Sequence, residues 1–281
     1  MKSAVNAIGV TLSAIAIFLA GTAQADRLQD ILSDRELTVG YITYDELTYR
    51  DSDTNEIKGF FPEFLELIAE EMGIDSDDIE YVATDWSDFA TGLQTGRYDF
   101  AIAGLFSTIP RATSAAFTDP IFYLGNSAMV LDGDDRFDDI ENVMDLDQED
   151  LTIAVVSGEQ SHDFVRNNFE NAEIEVVRSS DLTSAMLQVM SRRADVAMSD
   201  HFVVRKFVAQ QDGTRDLFPD NPWNIQPITW AVRHEDQQLL TFLNNAIEYM
   251  VSTGQLQELM RDPRYEDVPF IRPVRELEPI N

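Results

Sequence analysis

The chain has 281 residues, with 51 Asp and Glu against 20 Lys and Arg, a formal net charge of −31, and no cysteine. So acidic a surface repels nucleic acid and anionic membranes, and the missing cysteines exclude a disulfide framework and the usual lipoprotein attachment residue. A hydrophobic content of 44% with 10% aromatics argues for a packed globule rather than a disordered chain. The acid is spread along the whole length. That suits a protein kept soluble in high salt, and a salt-adapted source is the expectation.

The first residues read as a secretory signal. Lys2 supplies the positive start, Ala4 to Ala20 is almost entirely apolar, and Ala23-Gln24-Ala25 forms an A-x-A cleavage site before Asp26. The apolar run is short for a membrane anchor and no basic flank follows it. The expectation is a cleaved peptide over residues 1–25 and a periplasmic mature protein of roughly 256 residues, enough for one large domain or two ordinary ones.

In chain order, Asp26 to Ser33 is a short helix leading into a strand at Glu36-Leu-Thr-Val-Gly-Tyr-Ile42. After a polar turn at Asp51 to Glu56, apolar residues at 64, 65, 67, 68 and 72 mark a helix from Pro62 to Met72, closed by Gly73. Ile79 to Ala83 is a strand and Asp85 to Thr95 a helix stopped by Gly96. Tyr98 to Ala103 is a strand that breaks at Gly104. The pattern then restarts. Strands fall at 127–131, 151–156, 174–177 and 194–199, and helices at 161–168 and 182–192, with an acidic loop at 132–150. A strand at 228–232 and a helical stretch at 236–261, interrupted near Gly254, complete the chain. Strand–helix alternation of this kind builds α/β sheets with parallel neighbours, here in two copies.

Few motifs carry chemistry. Asp51-x-Asp53-x-Asn55 starts like a calcium loop, but Glu56 replaces the required glycine and Pro62 stands at the twelfth position, so it reads as a solvated turn. His162, His201 and His234 lack ligand spacing and read as surface residues, not metal ligands. Neither a nucleophile elbow nor a phosphate-binding glycine loop is present, so no catalytic residue, cofactor or metal is expected. What remains lies at strand ends, where open α/β sheets bind ligands. Arg111 follows one strand, Gly158-Glu159-Gln160-Ser161 another, and Asp200 a third. Arg111 is a lone guanidinium in an uncharged run, suited to clamp a carboxylate but equally readable as a surface ion-pair partner. Asp200 reads as a helix cap or a cation acceptor, and Tyr44 and Trp86 as core or as aromatic ligand walls. An anion site and a cation site in separate halves would suit a zwitterion.

These residues resemble the family 3 periplasmic solute-binding proteins, the polar amino acid receptors of ABC importers, over essentially the whole mature chain. The resemblance rests on Lys58-Gly59-Phe60 with Glu63, on Asp85-Trp86 followed by Leu93-Gln-Thr-Gly-Arg-Tyr-Asp99, and on Thr108-Ile-Pro-Arg111 followed by Phe117-Thr-Asp-Pro120. Arg192-Arg-Ala-Asp195-Val-Ala-Met-Ser-Asp200 and Trp230-Ala-Val-Arg233 extend it. It implies an α/β Venus-flytrap of two lobes joined by two crossing strands. Residues 26–126 plus 229–281 would form lobe 1, and 127–228 lobe 2. It also implies that Arg111 clasps a ligand α-carboxylate and Asp200 accepts its ammonium. Tyr44 and Trp86 would sandwich the ligand, Thr108 and the Gly104 backbone would add hydrogen bonds, and Gly158 and Glu159 would bring strand-end amides. Two departures stand out: Phe106 replaces a usual Ser or Thr, and Glu159-Gln160 replaces a frequent Thr-Thr. An extra carboxylate among aromatic faces favours a cation, placing a basic amino acid and a compatible solute such as ectoine or betaine in contention. The implied partners are that ligand and an inner-membrane ABC permease, with a monomer as the default state. The rivals are a dehydratase-like enzyme using Glu159 as general acid or base, and a ligand-sensing accessory protein.

Overall fold

The computed structural model describes residues 27–271. The expected leader and its cleavage site lie outside the described residues, as does the end of the chain from 272 onward.

The first half opens with helix α1 (Arg27–Asp34), strand β1 (Leu37–Tyr41) and a small hairpin of β2 (Tyr49–Arg50) and β3 (Ile57–Lys58). Helix α2 (Phe60–Met72), strand β4 (Ile79–Ala83), helix α3 (Phe89–Gln94) and strand β5 (Phe100–Phe106) follow. Next come helix α4 (Ile109–Ala112), strand β6 (Ala116–Phe117) and the ten-residue strand β7 (Phe122–Leu131). The second half holds β8 (Thr152–Val156), α5 (Gln160–Asn168), β9 (Glu173–Val177), α6 (Thr183–Met190), β10 (Val196–Asp200) and α7 (His201–Gln210). It continues through β11 (Thr214–Asp216) to the long return strand β12 (Trp223–Val232). Helices α8 (Gln237–Ser252) and α9 (Gln255–Met260) finish the described chain.

The strands form one path, β4-β1-β5-β12-β7-β10-β8-β9, with β6 on β12 and β11 on β7. At one end β1 pairs in parallel with both β4 and β5; at the other β8 pairs in parallel with β9 and β10. Each triplet has its first strand in the middle, so the two halves repeat one topology. The antiparallel pair β7 and β12 joins them. This is the two-lobe α/β architecture expected from the sequence, with two long strands running from one lobe to the other.

Local sequence explains most elements. Helix α2 buries Phe60, Phe61, Phe64, Leu65, Ile68 and Ala69 along one stripe, and Gly73 ends it at φ 72° with its N–H donating to the Ala69 and Glu70 carbonyls. Each fully buried Phe or Leu contributes about 1.5–3 kcal/mol. Phe60 packs edge-on to Phe122 and Tyr265, fastening α2 to the crossing strand. Asp51 Oδ1 accepts from the Asp53 and Thr54 amides, so the acidic run is a turn as expected.

Several boundaries differ from the sequence reading. Strand β5 does not break at Gly104 but runs on to Phe106, because Gly104 adopts φ 63° and lies against the Phe61 ring, where a side chain would collide. Helix α3 starts at Phe89, since Asp85 Oδ1 holds the Ser87 and Asp88 amides in a turn ahead of it. The crossing strands begin earlier than their apolar runs suggested, and helix α7 was not anticipated. His201 is buried rather than surface-exposed, with Nε2 3.1 Å from the Pro219 carbonyl.

Candidate functional site

Five segments that leave the carboxyl ends of parallel strands converge between the lobes. Tyr44 follows β1, Trp86 follows β4, Arg111 sits on the turn after β5, Gly158-Glu159 follows β8, and Asp200 is the last residue of β10. A carboxyl-end crevice is where such sheets bind ligands. The structure therefore gathers the residues singled out in the sequence into one place.

Arg111 is only 8% exposed and makes no ion pair among the described residues, so it is not the surface partner that chemistry alone allowed. Thr108 caps the short turn α4, its Oγ1 accepting from the Arg111 amide at 3.4 Å. The guanidinium then reaches inward. Nη1 donates to the Phe106 carbonyl at 3.1 Å and Nη2 to the Gly158 carbonyl at 2.5 Å, and the Phe89 ring lies 5.9 Å from its carbon. Burial lowers the Arg111 pKa, against the pull of Glu159 and Asp163, yet a guanidinium stays charged in any protein setting.

Asp200 is fully buried and caps α7, with Oδ1 accepting from the Val203 amide at 3.0 Å. The cap uses a single oxygen. Its Oδ2 has no partner. Burial pushes the Asp200 carboxyl up to about 7, the Val203 amide opposes this, and neighbouring Glu159 raises it further. Glu159 is 2% exposed and caps α5, its Oε2 accepting from the Ser161 amide at 2.7 Å, while Oε1 is unpartnered. The Ser161 hydroxyl can serve either that carboxylate or the Met198 carbonyl at 3.0 Å, having one proton to give. Burial raises the Glu159 pKa.

The other side contributes aromatics. Tyr44 and Trp86 meet edge to face, with centroids 5.5 Å apart and planes at 87°. Such a pair satisfies the ring quadrupoles but forms no parallel slot, so the simple sandwich expected of them is not the arrangement found. Trp86 Nε1 donates to the Ser180 carbonyl of the other lobe at 3.1 Å. The Tyr44 hydroxyl approaches Asp200 without closing a hydrogen bond of good geometry, and burial raises its pKa well above the phenol range. Gly158 lies at φ 79°, packed on the Ser87 amide. Its own N–H meets His162 Nδ1 at 3.2 Å rather than pointing to a free anion position. Phe106 is buried, and it meets Arg111 through its carbonyl.

Sequence reasoning missed Asn126 and Lys206. Asn126 is fully buried with both amide atoms unpartnered, and it stands directly across from Asp200 on β7. A lone amide inside Leu124-Gly-Asn-Ser-Ala-Met-Val was its visible signal. Lys206 on α7 bridges Asp45 and Glu46 of the opposite lobe. That bridge lines an open cleft of about 590 Å³ beside Tyr44, whose walls include Asp181 and Thr183 but neither Arg111 nor Asp200. No helix among the described residues is long and apolar enough to cross a membrane, and none of their His, Asp or Glu groups forms a metal cluster.

Residues 37–262 match the profile of the bacterial extracellular solute-binding proteins, family 3. The chain belongs to that family. Among its relatives, the L-cystine-binding protein TcyA of Bacillus subtilis (strain 168) is 22% identical over 95% of this chain and 99% of its own. The ABC transporter arginine-binding protein 1 of Escherichia coli (strain K12) is 22% identical over 73% of this chain and 81% of its own. The crystal structure of the ancestral amino acid-binding protein AncCDT-1, a precursor of cyclohexadienyl dehydratase, superposes with a TM-score of 0.73 at 25% identity, over 84% of this chain and 98% of that one. The family member described here is an extracytoplasmic solute-binding protein with the fold of an amino acid receptor.

Proposed function

We propose that this protein is the periplasmic receptor of an ABC importer, capturing an amino acid or related small zwitterion between its lobes. The observation that carries the reading is the pairing of buried Arg111 on one side of the cleft with buried Asp200 on the other. A guanidinium recognises a carboxylate through paired N–H donors, and the unpartnered Asp200 Oδ2 offers an acceptor to an ammonium. The proposed lobes are 26–126 with 229–281, and 127–228, meeting inside β7 and β12. A ligand touching both sides favours the closed form over the open one, and the closed form is what docks on the permease. The secretory leader, cleaved after Ala25, belongs to the same reading, as does a monomeric state.

The test is calorimetric titration with amino acids, polyamines, ectoine and glycine betaine in high salt, with recovery of the ligand afterwards. Stoichiometric binding with unchanged ligand supports a receptor. A second reading draws on one observation: Asp200 at about 7 and Glu159 raised by burial are carboxyls poised for proton transfer. Consumption of an amino acid or a cyclohexadienyl acid in the same incubation would favour that enzyme.

A further inference from the structure

Resting on that reading, we propose that Glu159, with Asn126 beside Asp200, forms a subsite for a second cation, so that the ligand is a cationic amino acid rather than a neutral zwitterion. The buried site holds two carboxyl groups, Asp200 and Glu159, against one guanidinium, Arg111. A neutral zwitterion uses Arg111 for its carboxylate and Asp200 for its ammonium, and it brings no charge to meet Glu159, which has only the Ser161 donors and the field of Arg111. Buried charges are tolerated when paired. A ligand carrying one extra positive charge brings the closed site to neutrality.

Geometry places the extra acceptor with the others. Glu159 caps α5 through Oε2, and the Ser161 hydroxyl stands between that carboxylate and the Met198 carbonyl, two residues before Asp200 on β10. The cap therefore fixes the carboxylate beside the end of β10 and frees Oε1, which is buried and unpartnered. Asn126 faces Asp200 in the antiparallel register of β7 and β10, and residues directly opposite in such a pair share one face of the sheet. Its two orphaned amide atoms add one acceptor and one donor on that face. On the other lobe the Tyr44 hydroxyl is also unpartnered. Buried polar atoms without partners are rare in folded proteins, and Glu159 Oε1, Asp200 Oδ2 and Asn126 Oδ1 are acceptors of that kind. An ammonium or guanidinium supplies donors in the number that these oxygens accept.

The deciding experiment is titration of the purified full-length mature protein with L-lysine, L-arginine and L-glutamine, alongside the Glu159→Gln variant. Gln can keep the α5 cap through its carbonyl oxygen and removes only the charge. The unaltered protein is expected to prefer lysine or arginine over glutamine by at least 30-fold. The variant is expected to lose at least tenfold of that preference. Glutamine bound as tightly as lysine by the unaltered protein overturns the inference while leaving the receptor reading intact. So does a Glu159→Gln protein with its preference unchanged. Binding of no amino acid of either charge removes the receptor reading and the inference with it. Should Glu159→Gln not fold, the lysine-to-glutamine ratio of the unaltered protein decides alone.

Discussion

Arg111 Nη2 donates to the Gly158 carbonyl at 2.5 Å, tying the turn after β5 to the loop that opens α5. The two residues come from opposite lobes, so the closed arrangement is held by the same guanidinium that is proposed to meet the ligand carboxylate. Closure and the proposed recognition share one side chain.

Replacing Arg111 by Ala is therefore expected to weaken binding by about 2–5 kcal/mol, because a desolvated ligand carboxylate is left without its partner. Arg111→Lys restores the charge but not the paired donors, and is expected to recover only part of that loss. Calorimetric Kd values for both variants check this. Binding by Arg111→Ala within twofold of the unaltered protein removes Arg111 from the site.

Gly158 tests closure separately from recognition. An added Cβ would meet the Ser87 nitrogen and the Trp86 carbonyl carbon, both at 2.8 Å, and the residue sits at φ 79°. Gly158→Ala should hold the lobes apart and cost about 1–2 kcal/mol for the left-handed backbone. Small-angle scattering should show a larger radius that no longer shrinks with ligand.

Asp200 gives a pH signature. Its folded pKa of about 7 lies above the ordinary aspartate value of 3.8, so the folded ligand-free state holds this proton more tightly than the unfolded chain. The stability that this group contributes is complete below about 3.8 and is lost as pH rises through about 7. Asp200→Asn is expected to raise the melting temperature of the ligand-free protein at pH 8 by about 2–4 °C for each kcal/mol recovered. The same variant should lose amino acid binding. An unchanged melting temperature at pH 8 would contradict the buried-acid account.

Lys206 bridges Asp45 and Glu46 across the cleft mouth. The partners are partly exposed, so the bridge contributes roughly 0–1 kcal/mol, and less at high salt. Lys206→Met should speed ligand release by about two- to fivefold at low salt, with the difference shrinking as salt is added. Stopped-flow displacement at two salt concentrations measures it.

The net charge of −31 predicts a protein that repels itself in dilute buffer. Its melting temperature and refolding yield should rise with sodium chloride as screening shortens the reach of that repulsion. Refolding that does not depend on salt would remove the salt-adapted reading of the composition.

Much of the architecture was legible because its cues are local. Ile79 to Ala83 is a strand in both readings, and Gly73 and Gly254 end helices as glycines do in left-handed backbone. The repeated strand–helix pattern announced two similar lobes. Other elements were hidden by context. Gly104 reads as a strand breaker, yet β5 continues through it because Phe61 occupies the space a side chain would need. The first halves of β7 and β12 carry Gly125, Asn126 and Asn224, which look like loops until each strand finds its partner.

At the site, the chain's own order determined which groups are available: one guanidinium in an uncharged run, an acid ending β10, and an unusual carboxylate after Gly158. Spacing along the chain places each at a strand end, which is a local property. Only the tertiary structure decided that Arg111 is buried, that Asp200 caps with one oxygen and leaves the other free, and that Asn126 stands across from it. It also set Tyr44 and Trp86 edge to face instead of parallel. Burial, cross-strand register and ring orientation arise from residues far apart in sequence, so no local stretch of the chain could announce them.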